Sequence, residues 1–308
     1  MRLKILGSAA GGGFPQWNCN YRLSRAARAG ELQSRLQSSL AATSGADAGW
    51  VLFNASPDIR QQINETTELQ PAPDAPLRST PIRAVVLTNA DVDHLAGLLS
   101  LRERQPFHLY ATARVLAVLA ANPIFRVLDE AVVRRLPVEL GQPFAVEGPQ
   151  GPTGLTAELF AVPGKVALFL ETGRAEADFE ADPEDTVGAR ISDAEGRSAF
   201  YVPGCARVDA DFLRRIAGGD LLLFDGTVFA DDEMAAAGVG TKTGRRMGHL
   251  PIGGEDGSLR ALERAEVARR VFVHINNTNP ILDEASPERR TVERAGWDVA
   301  FDGMEIAL

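Results

Sequence analysis

Cysteine, histidine and aromatic residues are all scarce in this chain of 308 residues. The two cysteines, Cys19 and Cys205, stand far apart in sequence, so a disulfide framework is neither available nor needed, and both are expected as free thiols. Only four histidines, His94, His108, His249 and His274, are present, too few for a two-metal hydrolase site rich in imidazole. Apolar runs long enough to cross a membrane are missing. The start of the chain carries no leader-type apolar region, since Leu3-Lys4-Ile5-Leu6 runs straight into glycines and reads as a first strand; a cytoplasmic location is the default expectation. Positive charge is also in deficit, and the net charge of −9 argues against a nucleic-acid partner, which would require clustered Lys and Arg. The local basic run Arg22, Arg25, Arg28 and Arg35 reads as a solvated helix surface more readily than as an anion-binding face.

What the chain does have is apolar residues, at 45%, enough for a large core, and one domain spanning residues 1–308 is expected. Strand-like segments bounded by turn signals recur at 3–6, 39–42, 50–53, 84–88, 108–111, 156–162, 166–170, 199–202, 221–225, 271–275 and 299–301. Helical periodicity falls at Thr112 to Ala121, Asp209 to Ala217, Leu259 to Arg269 and Ser286 to Ala295, the last opened by a Ser-Pro cap. Residues 66–83, with four prolines, and Gly141 to Gly154 read as irregular connectors, and Asp178 to Asp185 as an exposed acidic loop. This mixture suits an α/β fold in which sheets are layered and covered by helices. Gly7, Gly11, Gly12 and Gly13 match no phosphate-binding spacing and read as a turn whose backbone comes close to other segments or to substrate.

The richest stretch is Thr88-Asn89-Ala90-Asp91-Val92-Asp93-His94, which follows the buried-strand run Ala84-Val85-Val86-Leu87. Two carboxylates, a carboxamide and an imidazole at a strand end look like a metal-binding loop, with helix capping by Asp91 or Asp93 as the alternative. The pattern resembles the metallo-β-lactamase superfamily signature His-x-His-x-Asp-His, with Asn89 and Asp91 at the two leading histidine positions. Further blocks, among them Pro15-Gln16-Trp17-Asn18-Cys19, Leu52-Phe53-Asn54-Ala55-Ser56-Pro57-Asp58, Tyr201-Val202-Pro203-Gly204-Cys205 and His274-Ile275-Asn276-Asn277-Thr278-Asn279-Pro280, resemble the B family of pyrroloquinoline quinone (PQQ) biosynthesis over nearly the whole chain.

The resemblance implies a metallo-β-lactamase-like αββα sandwich. It also implies that Asp93, His94 and His274 survive as one metal set, while the other set is lost at Asn89 and Asp91, with Cys205 at the position of a bridging aspartate. Asp91 could add an oxygen ligand, and Cys205 is either a thiolate ligand or an inert buried thiol. Two imidazoles and one carboxylate match the facial triad of mononuclear non-haem Fe(II) enzymes; Zn, Mn or Mg stay open. Asp225 and His249 resemble the carboxylate and Gly-His pair of phosphoesterase relatives, with His249 moving protons at the substrate. Many members of the family carry a structural zinc on Trp-Asn-Cys-x-Cys-x-x-Cys. Here only Cys19 remains, so no structural zinc is expected.

The implied activity is hydroxylation by dioxygen of a tyrosine-derived ring in a Glu-Tyr precursor of PQQ, with Arg22 or Arg60 receiving substrate carboxylates and other proteins of the pathway as partners. The alternatives are a carrier for the finished quinone and a metal-dependent phosphodiesterase.

Overall fold

The protein is described by a computed structural model covering residues 1–45, 48–172 and 182–308. Among the described residues two seven-stranded sheets stack face to face. The first contains β1 (Arg2–Gly7), β2 (Ser39–Thr43), β3 (Trp50–Phe53), β4 (Ile82–Val86), β5 (Phe107–Ala111) and β6 (Val133–Pro137) in chain order. The second runs β7 (Phe144–Gly148), β8 (Gly151–Ala161), β9 (Val187–Asp193), β10 (Ser198–Val202), β11 (Gly219–Asp225), β12 (Val267–Val273) and β13 (Asp298–Val299). The chain then returns to the first sheet, where β14 (Glu305–Ala307) pairs antiparallel with β1. Each sheet is half antiparallel and half parallel. The parallel halves are β3 to β6 and β10 to β13, and they carry the site residues at their C-terminal ends.

The apolar runs of the sequence become strands buried on both faces, which is how parallel strands between covering layers read. Along β3, Val51 and Phe53 point into the core between the sheets, while Trp50 and Leu52 point into the outer core. Along β11, Leu221 and Leu223 face the other sheet, and Leu222 and Phe224 face outward. The outer faces are closed by helices: Ile59 of α2 (Ile59–Glu65), the N-terminal of those that cover the first sheet, packs with Val115 and Leu119 of the helix Ala113–Ala121. Phe212 and Ile216 of the helix Ala210–Ile216 and Val292 of the helix Pro287–Arg294 cover the second. The layering is therefore αββα, as the sequence implied. Thr112 and Ser286 cap their helices as expected, accepting from Val115 N and Arg289 N.

Several local readings are corrected. Leu259 to Arg269 is not one helix: only Ser258–Ala261 is helical, and Val267 to Val273 is β12, because two arginines inside a β-branched run sit on the half-exposed start of a strand. Residues 166–170 end in a 3-10 turn, Leu168–Leu170, rather than a strand. The glycine-bounded stretch 141–154 is a hairpin, β7 to β8, instead of a connector. Strands β6, β9 and β14 lacked a clear signal. Of the acidic loop, residues 178–181 lie outside the described residues, and Asp185 is a buried partner of Arg114. The glycine turn behaves as anticipated, since a Cβ on Gly7 would lie 2.0 Å from the Gln37 carbonyl oxygen.

Candidate metal centre

The loop after β4 is held before it reaches the cleft. Thr88 donates its backbone N–H to Asn54 Oδ1 (2.9 Å), and Asn54 Nδ2 donates to Thr88 Oγ1 (2.9 Å), tying the ends of β3 and β4 together. A short helix, Val92–Leu95, then turns His94 inward, and its carbonyl accepts from Ala55 N at 2.7 Å. Gly97 permits that packing: a Cβ there would lie 2.0 Å from the Ser56 carbonyl oxygen.

His94 and His274 meet across the gap between the sheets, ring centroids 5.2 Å apart. His274 follows β12 directly and holds a left-handed backbone, φ 56°, a costly conformation for a non-glycine residue that aims the ring into the cleft. Asp93 Oδ2 lies 3.1 Å from His274 Nε2 and 3.7 Å from His94 Nε2, so one carboxylate oxygen and two ring nitrogens converge. The other nitrogens are engaged behind the rings. His94 Nδ1 is 2.8 Å from Asn89 Oδ1. That atom also accepts the Asp91 backbone N–H (3.0 Å), which identifies it as the amide oxygen, so Nδ1 carries the proton and Nε2 the lone pair.

His94 Nε2 is buried and has no hydrogen-bond partner. A buried, unpartnered lone pair facing a carboxylate is what a cation ligand looks like, and the donor set fits a divalent metal. Burial, with the neighbouring His274 and His249, pulls the His94 pKa down to about 4, so the ring is neutral and able to ligate at neutral pH. Asp93 works the other way. Burial alone would raise its pKa, but His94 and His274 outweigh it and hold the carboxyl ionised. For His274 burial is outweighed by Asp93, Asp225 and Asp91, and the pKa rises: the corner favours positive charge.

A second cluster shares His274. His249 Nδ1 lies 2.7 Å from Asp225 Oδ2, and the His249 ring stacks on His274 at 5.2 Å and 25°. Thr227 Oγ1 joins the two clusters, at 2.7 Å from Asp225 Oδ1, 2.8 Å from His274 Nδ1 and 3.1 Å from His249 Nδ1. The carboxylate takes the hydroxyl proton, leaving the Thr227 oxygen to accept from His274 Nδ1 and His274 Nε2 to face the cleft. These groups satisfy one another by hydrogen bonds, so Asp225, Thr227 and His249 form a proton-handling set beside the metal set.

Residues 49–275 match the family model described as the β-lactamase superfamily domain. The coenzyme PQQ synthesis protein B of Methylobacterium nodulans is 54% identical over 310 residues, covering 100% of both chains. That of Gluconacetobacter diazotrophicus is 51% identical over 99% of this chain and 98% of its own. The chain belongs to the coenzyme PQQ synthesis protein B family. The zinc-bound PqqB structure from Methylobacterium extorquens superposes with a TM-score of 0.94 at 52% identity, covering 100% of both chains. A diphosphatase of the PhnP family shares the fold alone, with a TM-score of 0.67 at 20% identity over 100% of this chain and 97% of its own.

Within this PqqB-family chain the structure brings Asp93, His94 and His274 together and sets Asp225 and His249 beside them. It does not do so for every candidate. Asn89 is corrected from ligand to supporting group, because its oxygen is turned onto His94 Nδ1 behind the ring. Cys205 is corrected from ligand to packing residue. Its Sγ donates to the Arg207 carbonyl (3.1 Å), and burial pushes the thiol up to about 12, so no thiolate is available; its backbone N–H supports Asp225 Oδ2 at 3.0 Å. Asp91 stands at the cleft wall, where its Oδ1 accepts the Leu168 N–H (2.9 Å), and burial followed by the Asp93 charge raises its pKa.

Arg25 and Arg28 cap backbone carbonyls of residues 16, 19 and 20, and Arg35 is buried against Ser8 and Ala300, so this run is structural. Arg60 is exposed on α2, away from the clusters. Thr227 escaped the sequence reading, although a hydroxyl two residues after a strand-end aspartate is a recognisable local bonding pattern. Lys165 and Glu171, at the same cleft, also went unrecognised as a pair.

Proposed function

We propose that the chain serves coenzyme PQQ synthesis as a mononuclear metal-dependent hydroxylase, with dioxygen as oxidant and the tyrosine-derived ring of a Glu-Tyr precursor as substrate. In this reading Asp93, His94 and His274 would hold one Fe(II). The observation that carries it is the donor set itself: one carboxylate and two imidazoles, with His94 Nε2 buried and free, and no further imidazole for a second metal. Such a triad leaves adjacent coordination positions for dioxygen and substrate. Fe(II), when bound, supplies the redox change that dioxygen chemistry requires, which zinc does not.

The chain's own groups supply the proton handling. Asp225 fixes His249 through Nδ1, so Nε2 is the nitrogen presented to a phenol, and the carboxylate raises the basicity of the ring. Stacking on His274 keeps the His249 ring beside the metal set. Asp91 and the turn Leu168–Leu170 wall the open side.

Oxygen uptake with L-Glu-L-Tyr dipeptide tests this reading on protein loaded anaerobically with Fe(II) or Zn(II). Uptake above the substrate-free control is expected with iron only. His249→Ala should slow it by about 10²- to 10⁴-fold at unchanged iron content, the usual scale of a lost acid-base group. Absence of uptake by the iron protein overturns the hydroxylase, and saturable quinone binding without uptake would favour the carrier.

A further inference from the structure

Three cations surround one carboxylate at the edge of the metal cleft. Glu171 Oε1 lies 2.9 Å from Lys165 Nζ, and its Oε2 lies 2.8 Å from Lys242 Nζ and 3.6 Å from Arg246 Nη2. The group is enclosed, with the Glu171 and Lys165 side chains each 10% exposed. One negative charge against three positive leaves the corner electropositive, in a chain whose overall charge is −9.

This corner adjoins the reacting groups. The Lys165 carbonyl accepts from Thr186 Oγ1 (3.0 Å), and Thr186 bridges to Asn89, the residue behind His94. On the other side an added Cβ on Gly248, the neighbour of His249, would sit 3.1 Å from Lys165 Cγ. Asp91 feels the Lys165 charge, so the cations border the acidic wall of the cleft. Glu171 arrives on a short segment whose other end is pinned by the Leu168 N–H on Asp91. The segment presents Leu168, Phe169 and Leu170 to solvent, 59%, 48% and 41% exposed, so apolar burial does not hold it in place. Its visible attachments are one hydrogen bond and the carboxylate of Glu171.

We propose that Lys165, Lys242 and Arg246 form a carboxylate-binding site for an acidic substrate, and that Glu171 is its built-in occupant, displaced when a substrate carboxylate arrives. The inference rests on the reading of the substrate as an acidic precursor. An internal carboxylate on a lightly held segment competes with the ligand, whereas a Glu171 that only braced the cations would assist it. The two roles therefore predict opposite signs for the same substitution.

The test measures binding of L-Glu-L-Tyr to the full chain loaded with Zn(II) under argon, by calorimetry, so that turnover plays no part. Glu171→Gln should tighten binding by about threefold to tenfold, the range expected for removal of a part-exposed ion pair. The same dipeptide with both carboxyls amidated should show no such gain. Lys242→Met, at a half-exposed position, should weaken the dipeptide and leave the diamide unchanged. Zinc content and melting temperature are read for each variant to confirm an intact fold. Weaker or unchanged dipeptide binding in Glu171→Gln, or equal affinities of Lys242→Met and wild type, overturns the proposal. Oxygen uptake is scored separately with iron, so loss of the hydroxylase reading and loss of this site are distinguishable.

Discussion

Asn89 Oδ1 lies 2.8 Å from His94 Nδ1, and that contact decides which nitrogen of His94 faces the cleft. An imidazole at a superfamily ligand position has been replaced by a carboxamide that stands behind the next ligand. Asn89→Ala would free the ring to rotate and to change tautomer. Metal affinity should fall by about 10- to 100-fold, the usual effect of removing a group that orients a ligating histidine, while the stoichiometry stays at one. Competition with a chelator checks this; an unchanged dissociation constant would show that Asn89 does not orient His94.

Cys205 is expected to be dispensable for the metal. Its thiol is buried, donates to a carbonyl and is pushed up to about 12, first by burial and then by the carboxylates of Asp225 and Asp209. Cys205→Ala removes the side chain but keeps the backbone N–H that serves Asp225. Metal affinity should stay within about twofold of wild type, because loss of a true ligand costs far more. A drop beyond that range restores Cys205 as a ligand.

The fold was legible because its signal is covalent and local. Runs such as Trp50-Val51-Leu52-Phe53 and Leu221-Leu222-Leu223-Phe224 are apolar on both faces, and only strands in an interior layer bury both. Strands such as β6, with Arg134 and Arg135 inside it, gave no such pattern because they lie at a sheet edge. The metal set was legible through its resemblance to a known motif, and the geometry adds which nitrogen of each ring is free. Side-chain reach was not legible. Whether Asn89 turns toward a metal or toward His94, and whether Cys205 points at the cleft or at Arg207, depends on rotamers set by packing from elements distant in sequence. The same holds for Lys165 and Lys242, far apart in sequence and joined only through Glu171.

Glu233 gives the stability a predictable pH dependence. Its carboxylate accepts from Thr278 Oγ1 (2.6 Å) and Phe229 N (2.7 Å), binding the loop after His274 to the helix Glu233–Ala236. Burial outweighs these bonds and lifts its pKa from 4.5 to about 7. A folded-state pKa above the unfolded one means that the folded chain prefers the protonated form. The contribution is fully present below the unfolded value and is lost as pH rises through about 7. Glu233→Gln keeps the shape without the titration. The melting temperature of wild type should therefore fall relative to the variant between about pH 5 and about pH 8, by a few degrees, corresponding to at most about 3 kcal/mol. Parallel curves for the two proteins across that interval would remove Glu233 as the source.

Thr227 links the metal set to the proton-handling set, and Thr227→Val tests whether that link matters. Valine matches the shape and deletes the hydroxyl, so Asp225 Oδ1 keeps only the Thr227 N–H (3.0 Å) and His274 Nδ1 loses its oxygen partner. Leaving buried polar groups unpaired should cost about 1–3 kcal/mol of stability. The more telling readout is the metal. With Nδ1 unpaired, the His274 ring has no group fixing its proton there, and Nε2 is no longer held as the free donor, so affinity should drop by about 10- to 100-fold. Thr227→Ser, which restores the oxygen at the cost of a methyl group, should recover most of that affinity. A role in packing alone predicts the reverse order, with valine close to wild type and serine the weaker binder. Metal titration of both variants at one pH, alongside their melting temperatures, separates the two.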